Sequence, residues 1–342
     1  MRALVTLPNV IAFVIAVALT AYVLMGGADF GGGVWDLFAR GPRREAQREL
    51  IANAIGPIWE ANHVWLIVVI VLLFTCFPAA FAELSIRLHI PLALMLVGIV
   101  LRGSAFAFRA YGRHGDAESR HWGLTFAIAS VLTPVLLGIC MGAIASGALV
   151  PAPDADFVER FVRPWWHPFA ISVGGFALAL FAFLAAVYLT LEARDEALRE
   201  DFRARALGAA LAVFIAAFSV LVLSHGAAPL VRHGLTSSPW AIPLHLLTAA
   251  AAVTAIGALW TRRYRLARVA AAAQVSLILW GWIVAQYPYL LPPAYTIADS
   301  AAPPATLRLV LLALGVGGLI LLPSLYYLFR VFKAETARAD DR

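Results

Sequence analysis

The sequence predicts an all-α polytopic membrane protein with nine transmembrane helices, on the grounds of composition, apolar run length and charge placement. The 342 residues are 62% hydrophobic and 13% charged, and their mean hydropathy is +0.84, whereas about a quarter of an ordinary soluble domain is charged. A helix needs about 20 apolar residues to cross a bilayer core. Nine such runs occur, near residues 8–37, 50–77, 80–109, 122–148, 167–191, 206–226, 239–260, 267–288 and 306–331.

The placement of positive charge predicts the orientation of these helices. Of the 26 Lys and Arg residues, nineteen lie near one set of helix ends and six near the other, with Arg102 inside a helix. Because basic loops stay in the cytoplasm, the N-terminus is predicted outside and the C-terminus inside. Membrane topology explains this clustering and therefore the net charge of +6. Nucleic acid is not expected as a partner, and membrane lipid is expected around the chain.

The apolar runs also suggest how the chain is divided. The first run is too long for a signal peptide and has no A-x-A-like cleavage site, so we interpret it as a retained helix. A long loop after the fourth run separates a first four-helix bundle, residues 1–148, from a second, residues 149–288. Residues 289–342 then form a Pro-rich outer loop, a peripheral ninth helix and a cytoplasmic tail.

The first predicted helix carries an intramembrane acid, Asp29, among five glycines in the segment MGGADFGGG. The segment lacks the preceding strand and the Lys-Ser/Thr pair of a phosphate-binding loop. Glycine in a membrane helix permits close approach of neighbouring helices. We therefore expect another helix to lie near the Asp29 carboxylate.

The second predicted helix contains a polar patch around Glu60. Glu60 and His63 are three residues apart and share a helical face. Trp59 lies four residues before His63, next to that face, and Asn62 lies between Glu60 and His63 in the sequence. Pro57 removes a backbone hydrogen bond, so a kink is expected there. Freed carbonyls and a carboxylate together would form a polar spot that could hold water.

The third predicted helix carries Arg102, followed two residues later by Ser104. The rise per residue places Arg102 roughly 10 Å from the basic end of its own helix. Asp29 and Glu60 lie roughly 16–18 Å from the basic ends of theirs. All three are therefore expected to meet in the inner half of one bundle. Two interpretations stay open: a structural ion pair that fixes helix packing, or a proton or cation pathway, since intramembrane acids are usually functional.

Neither a metal site nor a haem is expected in this chain. No two histidines have the spacing of a paired metal site, and only His63 lies deep in a predicted helix. Haem would need axial His or Met ligands. Cys76 and Cys140 cannot form a disulfide framework and are interpreted as packing residues.

Several segments resemble subunit II of cytochrome bd-type quinol oxidases. They are GGADFGGGVWDLF at 26–38, NAIGPIWEANHVWLIVVIVLLFTCFP at 53–78, LRGSAFAFR at 101–109, and QYPYLLPP at 286–293 with the TIADSAAP that follows. In that family subunit II has nine helices with the N-terminus outside, as the apolar runs and charges predict here.

The resemblance implies a heterodimeric complex of the bacterial inner membrane that oxidises quinol, either ubiquinol or menaquinol, and reduces oxygen to water. Haems b and d belong to the partner, subunit I, and subunit II offers a hydrophilic path for protons from the cytoplasm. The resemblance implies that the acid of the family's W-[DE]-x-N motif, here Glu60, is the candidate proton carrier. Asp29 and Arg102 match the family's other charged positions and would line that path. Trp59, Asn62 and Ser104 would support it.

The sequence departs from the commonest family pattern at two positions. Glu60 stands where Asp is frequent, and its carboxyl group keeps the proton function. His63 stands where an acidic or amide residue is frequent, and this residue resembles the cyanide-insensitive branch. Some members also bind a structural quinone or carry a small single-helix accessory subunit, and both stay open here. A different class, a secondary transporter with an intramembrane proton or cation site, is the alternative function.

Overall fold

The computed structural model describes residues 6–56, 59–111, 117–150 and 154–338. Within these ranges it leaves out the side chains of residues 59–62, 109–111, 117–120 and 328–338. The described chain forms thirteen helices and one short antiparallel hairpin. These are α1 Leu7–Leu37, α2 Arg44–Ile55, α3 Trp59–Cys76, α4 Pro78–Arg87, α5 His89–Tyr111, α6 Ala117–Ser146, α7 Phe157–Phe161, α8 Pro168–Glu192, α9 Glu196–Ala227, α10 Pro229–Ser237, α11 Ala241–Trp260, α12 Tyr264–Gln286, β1 Tyr289–Leu291, β2 Tyr295–Thr296 and α13 Pro304–Arg338.

The prediction of an all-α polytopic membrane protein is confirmed. Among the described residues, eight helices are long and apolar enough to cross a bilayer. A bent pair formed by α3 and α4 would raise the number to nine if it counts as one span. Nine spans, and the outside position of the N-terminus, remain predictions.

Two of the predicted helices are each divided in two. The run at 50–77 is divided into α2 and α3, and the break lies around Pro57, which itself falls outside the described residues. The run at 80–109 is divided into α4 and α5 at Leu88. Pro57 indicated the first break in the sequence, whereas the second lies at Leu88, between Arg87 and His89, inside a run that was predicted as one helix.

A sharp turn separates α3 from α4. The two helices are bent by 117°, and Phe77 between them has a non-helical backbone, with φ −135° and ψ 57°. Pro78 follows at the first turn of α4, where its missing N–H needs no partner and its ring prevents α3 from continuing. The chain therefore leaves the axis of α3 here.

Helix α1 packs against α8, α3 and α6, and its glycines make this close packing possible. A Cβ atom at Gly27 would lie 2.7 Å from the Phe181 ring on α8. At Gly31 it would overlap the carbonyl oxygen of Phe181, and at Gly33 it would overlap the hydroxyl of Ser130 on α6. The predicted close approach of other helices around Asp29 is thus confirmed.

We expect Gly31→Ala to destabilise the protein, because the backbone of α8 would have to move away from α1. Overpacking of this kind costs about 1–3 kcal/mol, and it should appear as a lower thermal unfolding temperature of the protein in detergent. Gly175→Ala is the matched control, since a Cβ atom at Gly175 on α8 meets nothing within 4 Å. Equal unfolding temperatures for the two variants would contradict the packing argument.

The helices of the two predicted bundles are packed together. Helix α8, from the predicted second bundle, lies against both α1 and α6 of the first. Residues Phe181, Leu184 and Val187 of α8 share one buried cluster with Tyr22 and Phe30 of α1. The division of the chain at residues 148 and 288 remains a prediction. Helix α8, from the second predicted part, packs against α1 and α6 of the first part.

Candidate functional site

A buried ion pair lies where α1, α5 and α6 meet. A guanidinium nitrogen of Arg102, Nη2, lies 2.5 Å from Oδ1 of Asp29, and both side chains are 2% exposed. The same nitrogen donates to the backbone carbonyl of Asp29 at 3.2 Å. Nε of Arg102 donates to Ser130 Oγ at 3.0 Å, and that hydroxyl donates to the carbonyl of Phe126 at 2.7 Å. The predicted meeting of Asp29 and Arg102 is therefore present.

Two aromatic rings enclose the Arg102 guanidinium. Its central carbon lies 4.8 Å from the centroid of the Phe30 ring and 4.9 Å from that of Phe126. A cation held over aromatic faces is stabilised most when it is removed from water, as it is here. The rings and the ion pair together compensate a positive charge that would otherwise be costly inside a bilayer.

The Asp29 carboxylate uses only one of its two oxygens within the described residues. Oδ1 accepts from Arg102, whereas Oδ2 is buried and has no hydrogen-bond partner there. An unpaired buried acceptor carries its full desolvation cost. Helix α3 packs on α1, and the side chains of its first four residues lie outside the described part.

His63 belongs to the same cluster. Its ring centroid lies 5.9 Å from that of Phe30 and 6.3 Å from that of Tyr22. Phe30 therefore contacts His63 on one side and Arg102 on another. The structure brings His63 and Arg102 to one aromatic ring, and Arg102 pairs with Asp29.

The remaining predicted site residues are placed less completely. Glu60, Trp59 and Asn62 lie at the start of α3, but their side chains fall outside the described residues. Because Glu60 precedes His63 by three residues in a helix, the two share a face of α3. Ser104 is half-buried on α5 and, two residues after Arg102, lies on a different face of that helix.

A second polar cluster, at the basic end of α1, was not singled out from the sequence. Asp36 is 0% exposed, and its Oδ1 lies 3.7 Å from Nε of Arg48 on α2. Gln47 donates to Asp201 on α9 at 2.9 Å and accepts from Arg205 at 2.7 Å. Asp36 follows Asp29 by seven residues, which is the one signal that could have indicated a buried acid on the same helical face.

This second cluster joins α2 to α9. Arg43, outside the membrane-spanning helices, lies 2.5 Å from Asp201, and that hydrogen bond raises the pKa of the Arg43 guanidinium. The Arg43 side chain is 47% exposed, so solvent screens the pair and its stabilising effect is small. The cluster holds the basic ends of three helices together.

Within the described residues, no group of three or more His, Cys, Asp or Glu side chains could hold a metal ion. The site is a set of acid, guanidinium, imidazole and aromatic groups, in which Asp29 and Arg102 are buried and His63 is half-buried. Such groups can hold or pass a proton, and two of them, Asp29 and Arg102, form an ion pair with each other.

Comparison with known proteins identifies the family. The family model described as cytochrome bd terminal oxidase subunit II matches residues 7–332. The chain belongs to this family. The resemblance seen in the segments around Asp29, Glu60 and Arg102 is thereby confirmed.

Other members of the cytochrome bd subunit II family differ in how much of their length is matched. A putative cytochrome bd menaquinol oxidase subunit II of Bacillus subtilis is 23% identical over 325 residues, which cover 92% of each chain. The cytochrome bd ubiquinol oxidase subunit 2 of the same organism is 29% identical over 170 residues. The cytochrome bd-I ubiquinol oxidase subunit 2 of Escherichia coli K12 is 25% identical over 206 residues. The chain spans 48% and 52% of the length of these last two.

The fold of the cytochrome bd subunit II family is also found in a solved structure. A chain of the bd oxidase from Geobacillus thermodenitrificans superposes with a TM-score of 0.80 at 24% identity. The match covers 96% of this chain and 98% of the other. At that identity the likeness establishes the shared fold alone.

Proposed function

We propose that this chain is a haem-free subunit of a quinol:oxygen oxidoreductase in the bacterial cytoplasmic membrane, where it packs against a haem-bearing subunit I. Family membership supports this, together with relatives whose names specify ubiquinol or menaquinol oxidases. Haems b and d in subunit I would supply the redox chemistry. This chain would supply a scaffold and a proton route from the cytoplasm.

The single observation that carries the proton role is the state of the Asp29 carboxylate. One oxygen is held by Arg102 and the other is buried without a partner among the described residues. The Arg102 guanidinium pairs with Asp29, and in this proposal Glu60 is a second acid of the region that lacks a cation of its own. A buried carboxylate without a counter-charge tends to take up a proton.

These residues would then have different roles. Glu60 would gain and lose the proton, because its negative charge is the one in surplus. Asp29 would stay ionised against Arg102 and would present its free oxygen to the proton or to a water that carries it. His63 would sit beside the same aromatic ring as Arg102 and complete the polar lining, with Trp59, Asn62 and Ser104 in supporting positions.

The proposed route begins at the basic end of α1. Asp36 and Arg48 lie there, and Asp36 is roughly 10 Å from Asp29 along the helix, by the rise per residue. Arg48 is partly exposed, with 21% of its side chain accessible. In this proposal the Asp36–Arg48 pair would connect the buried site to the predicted cytoplasmic side.

Purification of the tagged chain from native membranes tests the assignment to an oxidase. We expect a second subunit with haem absorption bands to co-purify, and the purified complex to consume oxygen when given quinol. If the chain purifies without a haem protein and moves a solute in proteoliposomes, the secondary-transporter alternative is correct. A small accessory subunit would appear in the same preparation.

A further inference from the structure

Ser130 on α6 is a further polar side chain at the Asp29–Arg102 pair. It is 0% exposed, and its hydroxyl accepts from Nε of Arg102 at 3.0 Å. The same hydroxyl donates to the carbonyl of Phe126, one turn back in α6, at 2.7 Å. A serine hydroxyl has one proton to donate, and here Phe126 accepts it. Ser130 therefore meets Arg102 as an acceptor.

Helix α1 leaves room for this hydroxyl at Gly33. A Cβ atom at Gly33 would overlap both Oγ and Cβ of Ser130. Gly33 follows Asp29 by four residues, so the two share a face of α1. Ser130 therefore reaches the space beside the ion pair because α1 has no side chain one turn after Asp29.

The contact with Ser130 decides which edge of the guanidinium faces Asp29. An arginine often binds a carboxylate through two parallel hydrogen bonds, and one edge that can do so carries Nε and Nη2. Here Nε donates to Ser130, so of these two nitrogens only Nη2 reaches the carboxylate, at Oδ1. Nη2 also donates to the backbone carbonyl of Asp29 at 3.2 Å. The carboxylate is thus bound in a monodentate way.

This monodentate contact explains the state of the second carboxylate oxygen. Oδ2 of Asp29 has no hydrogen-bond partner among the described residues. In a bidentate pair with Nε and Nη2, Oδ2 would be bound as well. Because Oδ2 is enclosed by protein, it would exchange a proton with a neighbouring side chain and not with bulk water. A second hydrogen bond from the guanidinium would hinder that exchange.

We infer that Ser130 is a positioning residue of the proposed proton route, which keeps the Asp29–Arg102 pair monodentate by accepting from Nε of Arg102. This inference rests on the proton role proposed above for Asp29. Ser130 does not itself carry the proton, because its hydroxyl proton is donated to Phe126. Its contribution is the orientation of the guanidinium.

Ser130→Ala tests this inference, with oxygen consumption measured per haem of the purified complex. Without the hydroxyl, Nε of Arg102 turns to the carboxylate, because an unpaired buried donor carries its full desolvation cost. We expect the complex to assemble and turnover to fall about tenfold, which is less than the about 10²–10⁴-fold contribution of a group that itself transfers protons. The solvent deuterium isotope effect on turnover should rise, because proton transfer becomes limiting. A structural role alone would lower the yield of complex and leave both quantities unchanged per haem.

Ser276→Ala is the matched control for the loss of a helical serine. The Ser276 hydroxyl on α12 donates to the carbonyl four residues earlier, that of Ala272, at 2.8 Å, as Ser130 does to Phe126. Its turnover and isotope effect should equal those of the wild type. Ser130→Cys is a second variant in case the alanine variant does not assemble, because it retains a side chain of similar size that accepts hydrogen bonds only weakly. Wild-type turnover in Ser130→Cys would contradict the inference.

Infrared spectroscopy gives a readout that does not depend on activity. In Ser130→Ala the two oxygens of Asp29 become more alike, so the separation between its two carboxylate stretching bands should narrow, and Asp29→Asn assigns these bands. Unchanged bands would overturn the inference, as would turnover equal to that of Ser276→Ala while Glu60→Gln is slow. If Glu60→Gln has normal turnover, the proposed proton route fails, and the infrared bands still decide whether Ser130 keeps the pair monodentate.

Discussion

Glu60→Gln is expected to lower quinol oxidase turnover at least about tenfold while the haem content of the purified complex stays normal. A group that relays protons typically contributes about 10²–10⁴-fold to a rate, and the amide keeps the size of the side chain but cannot gain or lose a proton. Oxygen consumption with saturating quinol measures the effect. Glu60→Asp, which keeps the carboxyl group, should retain a large part of the activity.

The matched control for this variant is Glu49→Gln. Glu49 lies exposed on α2, so its replacement should leave turnover unchanged. A proton role also predicts that Glu60→Gln slows proton uptake by the complex in proteoliposomes and alters the dependence of turnover on pH. Unchanged turnover would remove Glu60 from the mechanism. Loss of haem together with turnover would instead support a purely structural role.

Arg102→Met is expected to produce the largest loss of stability, because it leaves the Asp29 carboxylate buried without a counter-charge. Breaking a buried ion pair from one side typically costs about 3–5 kcal/mol. The rings of Phe30 and Phe126 would also lose the cation they enclose. The expected result is little assembled complex in membranes and a marked fall in unfolding temperature.

The double variant Arg102→Met with Asp29→Asn tests the cause of that loss. It removes both charges, so much of the stability should return. Arg163→Met is the control, since Arg163 pairs with Glu159 at an exposed position, where such a pair contributes little. If Arg102→Met unfolds at the same temperature as the wild type, the ion pair does not hold the helices together.

The same double variant also separates the two interpretations of the charged cluster. As a structural pair alone, its replacement by neutral residues should restore both assembly and turnover. As part of the proposed proton route, it should restore assembly but leave turnover low. Normal turnover in the double variant would limit the role of Asp29 and Arg102 to packing, with Glu60 still to be judged by its own variant.

The sequence was most informative where a single residue or run carries its own physical signal. Long apolar runs indicated the membrane helices, because crossing a bilayer requires a minimum length. The glycines around Asp29 indicated close packing, which Phe181 and Ser130 now provide. Asp29 and Arg102 stood out because charges inside such runs are costly.

Other features depended on contacts between residues far apart in the chain. Ser130 and Phe126 complete the Arg102 environment from α6, yet neither carries a signal that distinguishes it from other residues of that helix. The pairing of Gln47 with Asp201 across 154 positions could not be foreseen for the same reason. The break between α4 and α5 lies at Leu88, inside a run whose length predicted a single helix.

By itself, the sequence determined that this protein spans a membrane many times and carries charges inside it, because hydrocarbon sets the length and apolar character of a spanning helix. Only the tertiary structure decided which atoms compensate those charges. The Asp29–Arg102 pair and its aromatic enclosure arise from three helices meeting side by side. That meeting depends on packing, which the order of residues along any one helix does not express.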